Sequence, residues 1–193
     1  MDTTKNFRKI NEREKKIIFE TLRNISYELL SSFKEFESNL YISVNESISH
    51  NKFPRIYLIL DDFKEFLKIP NIRNNICSGG LYVGYIKKGK FLISIESVEF
   101  LYRHDKFLEF HRIFVNEMGE RSILYGNDII MSMILNSPSS FNKNDLILIF
   151  NDKDEILALA KAQVNFKDIQ NLKPKSKIAS NLVDKGYYLR QKQ

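Results

Sequence analysis

Four lysines near the C-terminal end carry the densest chemical potential in this chain: Lys167, Lys173, Lys175 and Lys177, gathered around Pro174. Ammonium groups at that density supply point charges for phosphates, and planar side chains beside them can receive exposed nucleobases. Phe166, Tyr187 and Tyr188 stand close by in sequence, although tyrosines in such a place more often fill a core than form a stacking platform. A lone run of lysines also reads as a solvated loop, so the cluster alone decides little.

The remaining reactive residues are sparse. His50, His104 and His111 are isolated, and although Asp105 and Glu109 lie near the last two, no compact ligand spacing joins them. They are expected at the surface or at a domain junction. Cys77 is the single cysteine, which excludes an internal disulfide and a paired-cysteine metal motif. It is expected as a small buried thiol where a strand begins. Gly79, Gly80 and Gly84 lack both the lysine-serine/threonine ending of a phosphate loop and the strand–glycine–helix order of a dinucleotide site. Backbone crowding in a hairpin accounts for them better. Asp61 and Asp62 follow an apolar run and are expected to open a short helix, where carboxylates favour the dipole. No catalytic residue, metal or cofactor is expected.

The net charge of +6 is unevenly placed. From Lys161 onward stand Lys161, Lys167, Lys173, Lys175, Lys177, Lys185, Arg190 and Lys192, opposed only by Asp168 and Asp184, and the rest of the chain is formally neutral. Apolar residues make up 43% and charged residues of both signs 28%, which excludes wholesale disorder. The 193 residues suffice for one large domain or two small ones. The first residues are polar and lack the apolar core of a signal peptide. The longest apolar run, Leu146–Phe150, is far too short to span a bilayer. A soluble cytoplasmic protein, nucleolar in a eukaryote, with no membrane partner is expected.

Elements must position these residues. Asn11 followed by Glu14 forms a capping box, and behind it Ile18, Leu22, Ile25, Leu29 and Phe33 mark one face of a single long helix. Residues 40–44 and 56–60 read as strands, the second buried on both faces. Phe63, Phe66 and Leu67 suit a short helix that stops before Pro70. Residues 81–86 and 91–95 flank a Gly89 turn and form the clearest β-hairpin, followed by a helix with Val98, Leu101 and Tyr102. After about His111 short strands follow one another: 113–115, 121–124, 145–150, 156–163 and 187–190. These predict a small, partly open β-barrel. Within it, Gly119–Asn127 reads as strand, tight turn and helix cap, leading to an apolar helix-like run from Ile129. No flexible tether separates the halves.

In that order and spacing, these stretches resemble a known family. Gly119–Asn127, followed by Lys143–Phe150 and Leu159-Ala160-Lys161-Ala162, is similar to a PUA domain, the RNA-binding module named for pseudouridine synthases and archaeosine transglycosylases. Asp184–Arg190 resembles the closing strand found in the Nip-seven-type ribosome biogenesis factors. Arg8–Asn11 with Glu14 and Phe19, and Cys77–Gly84 with Phe91, Ile95 and Leu101, resemble the same family's opening helix and central hairpin. Met131, Met133 and Leu135 depart from its pattern, as do Phe166 and Gln170, where members carry further basic residues. The resemblance implies an α+β chain, with an N-terminal α/β sandwich-like domain over residues 1–110 that docks protein. A small PUA-type mixed barrel over residues 111–193 would bind RNA. It implies a non-catalytic factor in large-subunit pre-rRNA processing that binds U-rich single strands, works as a monomer and meets other assembly factors on pre-ribosomal particles. The alternatives are a component of an RNA-modification enzyme and a protein-docking adaptor. Confinement of the excess charge to the barrel half favours RNA over a merely solvated loop. The expected contacts are Lys161, Lys167, Lys173, Lys175, Lys177 and Arg190, matching the family best at Lys167 and Lys173.

Overall fold

The computed structural model describes residues 7–44, 53–76, 78–104 and 111–190. His50, Cys77, Asp105, Glu109 and Lys192 lie outside them, and with Cys77 the expected buried thiol; of the other histidines, His104 is exposed and His111 half-buried. Contacts divide the chain into two compact units, Met1–Phe100 and Leu101–Gln193.

In the first unit the capping box forms as read. The Glu14 N–H donates to Asn11 Oδ1 at 2.9 Å, and the Asn11 N–H donates to Glu14 Oε2 at 2.8 Å, opening α1 (Glu12–Ile25). Arg8 adds two bonds to the same carboxylate at 2.9 and 2.7 Å. Burial pushes the Glu14 pKa up, but Arg8 and the Asn11 amide outweigh it and hold the group below its ordinary range. The single long helix is a correction: it breaks at Ser26, which takes extended dihedrals (φ −160°, ψ 143°). Ser26 ends α1 and caps α2 (Tyr27–Lys34), its hydroxyl accepting from the Glu28 N–H at 3.1 Å. The apolar stripe survives the break, with Ile18, Leu22, Leu29 and Phe33 all buried, which is why periodicity alone does not reveal it.

Five antiparallel strands form the sheet of this unit, in sequential order: β1 (Phe7–Lys9), β2 (Leu40–Ser43), β3 (Arg55–Leu58), β4 (Leu81–Lys87) and β5 (Lys90–Ile93). Rings run across one face of four of them. Phe7 stacks on Tyr41 at 5.7 Å, and Tyr57 touches Phe7 at 5.8 Å and Tyr82 at 5.7 Å. The β4–β5 turn has positive φ at both Lys88 (49°) and Gly89 (72°), matching the twist that tight hairpins need. A Cβ on Gly84 would lie 2.1 Å from the Leu92 carbonyl oxygen, and one on Gly80 2.2 Å from that of Leu58. Crowding thus explains these glycines. Asp61 and Asp62 open α3 (Asp61–Lys64), as expected. Pro70 does more than stop a turn. It begins α4 (Pro70–Asn75) at the position where a missing N–H leaves no bond unmade. Helix α5 (Ile95–Arg103), which runs across the division between the units, buries Ile95, Val98 and Leu101.

The second unit contains β6 (His111–Val115), α6 (Glu117–Leu124), β7 (Ile129–Ile130), β8 (Ile134–Asn136), β9 (Leu146–Phe150), β10 (Ile156–Ala162), β11 (Lys177–Asp184) and α7 (Tyr187–Arg190). Its sheet runs β7-β11-β10-β9-β6-β8, with β6 and β9 parallel and every other pair antiparallel. The stretch Ile129–Asn136 begins on β11 and ends on β6, with a 3-10 turn at Met131–Met133 between. One continuous segment therefore occupies both outer places of the sheet and nearly closes the barrel. Its interior holds Ile113, Val115, Ile123, Ile129, Ile147, Ile149, Ala158, Ala160 and Ile178, among others.

Three expectations need correction here. Residues 121–124 are helical, so Gly119–Asn127 runs from helix into turn and leads to strand β7, the reverse of the predicted order. Asn116 caps α6 by accepting from the Gly119 N–H at 2.8 Å, Glu117 and Glu120 lie in its first turn, and Ile123 is fully buried. Gly119 is present because a Cβ there would lie 2.8 Å from that of Met133, and not because the chain turns. The run from Ile129 is strand and 3-10 turn instead of helix. The last strand is Lys177–Asp184, and Tyr187–Arg190 is a helical turn. Gly186 stands between the two, and a Cβ there would sit 1.8 Å from the Leu124 carbonyl oxygen. Gly186→Ala is expected to lower stability by about 2 kcal/mol or more, read as a reduced urea midpoint; an unchanged midpoint would show that the close approach is dispensable.

Candidate nucleic-acid interface

Strand register decides which loops meet. Lys161 pairs with Leu146, Ala162 with Ala179, and His111 with Ile147. The starts of β6, β9 and β11 and the end of β10 therefore share one end of the barrel. The loops over residues 137–145 and 163–176 leave from that end.

The second of these carries the lysine cluster, and the barrel wall holds it in place. The Met131 N–H donates to the Ser176 carbonyl at 3.0 Å and the Ser132 N–H to that of Pro174 at 2.9 Å, while the Ser176 N–H closes a turn onto Lys173 at 2.9 Å. With these carbonyls drawn to the closing segment, the side chains of Lys173 and Lys175 stand exposed. Lys167 lies on the 3-10 stretch Phe166–Asn171, anchored by buried Ile169 and by the Phe166 N–H, which donates to the Phe141 carbonyl at 2.9 Å. Its side chain is also exposed.

The other expected contacts sit differently. Lys177 is exposed, but its Nζ lies 2.6 Å from Asp128 Oδ2. Lys161 is half-buried within β10. Arg190 is drawn away from this end altogether. Its guanidinium donates to both oxygens of the buried Asp184 carboxylate, at 2.9 and 3.0 Å, and to the Leu124 carbonyl, straddling the turn at Gly126. It fastens α7 to α6. Tyr187 is half-buried, and the ring of Tyr188 lies outside the described side chains.

Lys143 and Arg112 join this end of the barrel without having been singled out from sequence. Both are exposed. The Lys143 N–H donates to Asn165 Oδ1 at 3.1 Å, tying the two loops together, and the Arg112 N–H donates to Ser139 Oγ at 2.9 Å. Lys143 is remote from the cluster in sequence, and only the pairing of β9 with β10 brings it there. The nearby acids have local partners. Asp145 accepts from the Asn142 N–H at 2.7 Å and lies 3.3 Å from His111 Nε2, and Asp168 accepts from Asn165 Nδ2 at 3.0 Å. The opposite end carries Glu117, Glu120, Asp152, Asp154 and Glu155, with only Arg121, paired to Glu117, and Lys153 interspersed on the same elements. Charge is thus polarised along the barrel. Among the described residues, no group of three or more His, Cys, Asp or Glu side chains could hold a metal ion.

A small mixed barrel with a cationic loop over one end is the architecture that the sequence resemblance implies, and the UPF0113 PUA domain family model matches residues 111–193. The described residues of this stretch have the PUA fold. A UPF0113 protein of Archaeoglobus fulgidus is 31% identical over 111 residues, 58% of this chain and 60% of that one, so the match spans about three-fifths of that relative. Over 189 residues the chain is 26% identical to the 60S ribosome subunit biogenesis protein NIP7 of Saccharomyces cerevisiae, covering 95% of this chain and 96% of the yeast protein. The resemblance therefore holds through both units. The solved structure of a conserved PUA domain protein from Thermoplasma acidophilum shares the fold, with a TM-score of 0.51 over 96% of this chain and 98% of that one, at 18% identity.

The Asp128–Lys177 pair within the PUA domain has a pH signature. Burial pushes the Asp128 carboxyl up, but Lys177 and the Asn181 N–H, at 3.0 Å, outweigh that and hold it below its ordinary value. Its stabilisation is complete above the unfolded pKa of about 3.9 and is lost as pH falls through the lower folded value. Asp128→Asn is expected to lower the Tm at pH 7 and to shrink the difference in Tm between pH 7 and pH 3. Equal pH dependence in both proteins would remove the pair from this role.

Proposed function

We propose that this chain is a non-catalytic RNA-binding factor of ribosome biogenesis, acting on the precursor of the large subunit. The observation that carries the reading is the similarity to a 60S ribosome subunit biogenesis protein across 95% of the chain, together with a PUA domain in its C-terminal half. The basic end of that domain supplies the chemistry. Lys167, Lys173 and Lys175 are exposed on a braced loop, where phosphates can release their counterions to fixed positive charge. Lys143 and Arg112 widen the surface. The ligand in this reading is single-stranded and U-rich.

The first unit is the docking half of the proposal. Phe63 (58% exposed), Phe66 (53%) and Ile69 (46%) are displayed in close succession around α3 and the turn after it. An apolar group of this kind suits contact with protein, here the other factors of a pre-ribosomal particle. No described helix is long and apolar enough to cross a membrane.

Filter binding of U-rich single strands across several salt concentrations tests the RNA half. Lys167→Ala and Lys173→Ala are each expected to weaken binding severalfold and to reduce the salt slope by roughly one unit. Arg190→Ala should lower the Tm and leave that slope unchanged. Absence of binding by the intact protein at low salt would overturn the reading, as would methyl transfer or uridine isomerisation by the purified chain on precursor rRNA. For the docking half, Phe63→Ser with Phe66→Ser in the full chain should abolish recovery of pre-ribosomal particles while RNA affinity in vitro is preserved. Unaltered recovery would move the docking surface elsewhere.

A further inference from the structure

Among the described aromatic rings of the PUA domain, Tyr125 (77%) and Phe166 (37%) are the exposed ones. Tyr125 follows α6, on the turn beside Arg190. Phe166 stands in the lysine-bearing loop, immediately before Lys167. A single exposed phenylalanine is ordinary on a protein surface. This one is distinguished by how it is held and by what surrounds it.

Its ring packs edge-to-face with that of Phe141, centroids 5.6 Å apart at 65°, and Phe141 is only 3% exposed. The backbone of Phe166 is fixed to that of Phe141 at 2.9 Å. The preceding residue, Asn165, spends its side chain on both neighbours, accepting from the Lys143 N–H and donating to Asp168. The ring is therefore preorientated, so little conformational freedom is lost when something covers it. Two exposed lysines stand close in the fold: Lys167 follows it in the chain, and the Lys143 backbone is bonded to its other neighbour, Asn165. A surface built only for phosphates has no use for an exposed aromatic plane, whereas unpaired bases on a single strand stack on such planes.

We propose that Phe166 is a base-stacking platform that receives one unpaired nucleobase, with Lys143 and Lys167 meeting the phosphates on either side of it. The inference rests on the RNA-binding reading and specifies which part of the RNA this position recognises. Stacking is largely insensitive to salt and tolerant of base identity, so Phe166 contributes affinity for single strands over duplexes. The lysines contribute the salt-dependent part.

The test uses the full chain with a U-rich single strand, and with an abasic strand of the same length, by fluorescence anisotropy at several salt concentrations. Phe166→Ala should weaken binding to the U-rich strand about tenfold with the salt slope unchanged, and should leave binding to the abasic strand as in the wild type. Phe166→Trp should restore affinity for the U-rich strand. Phe166→Leu keeps an apolar side chain against Phe141 while removing the plane. It should retain the wild-type Tm and lose the same affinity as the alanine variant, which separates stacking from a folding defect. Wild-type affinity in Phe166→Leu, or equal losses on both strands, would overturn this proposal alone. Failure of the wild-type protein to bind any single strand would remove the functional reading together with it.

Discussion

The PUA domain depends on a supply of backbone hydrogen bonds at its two open edges. A four-stranded sheet that ended at β11 and β6 would leave rows of unpaired amides and carbonyls, each costly if buried and adhesive if exposed. The segment Ile129–Asn136 answers both edges in turn, pairing first with β11 and then with β6. Its 3-10 turn directs the amides of Met131 and Ser132 to the carbonyls of Ser176 and Pro174. The wall that closes the barrel is thus also the brace of the lysine loop. Cationic side chains on an unbraced loop would lose more conformational freedom on meeting a phosphate.

The same economy of position governs charge. Asp145, Asp168 and Asp128 lie among the basic loops, yet each is engaged: Asp145 by a backbone amide and His111, Asp168 by Asn165, and Asp128 by Lys177. The acids at the other end include the first-turn glutamates of α6, where they complement the helix dipole. Local structural duties of the carboxylates leave a basic end and an acidic end. Such a molecule presents its basic face to a polyanion through its own long-range field.

Local signals in the sequence were reliable where one element explains itself. The Asn11–Glu14 box, the Gly89 hairpin and the β9 and β10 strands all stand where the residues place them. Sequence and structure part where a residue answers to something distant. Gly119 looks like a turn residue, but it is required by Val115 and Met133 packed against a helix, and the cap that would have revealed that helix, Asn116 with Glu117 and Glu120, was present in plain sight. Strand β11 carries Ala179, Ser180 and Asn181 in its middle, residues with little preference for strands, and only its pairing with β10 makes it one. Arg190 looked like one more cation of the basic tail; Asp184, six residues earlier, had already claimed it. Lys143 shows the converse, a remote residue brought beside the cluster by strand register.

The parallel pairing of β6 with β9, His111 opposite Ile147, sets a condition on how the domain comes to exist. Two parallel neighbours cannot be joined by a hairpin, and here α6, β7 and β8 all intervene in the chain between them. The middle of the sheet therefore forms by closing a long loop, and β7 must wait for the still later β11. Non-local pairing of this kind places the barrel among slow-folding topologies, on a scale of roughly milliseconds to seconds. Until closure, the apolar β9 and β10 strands are the surface most exposed to misassociation.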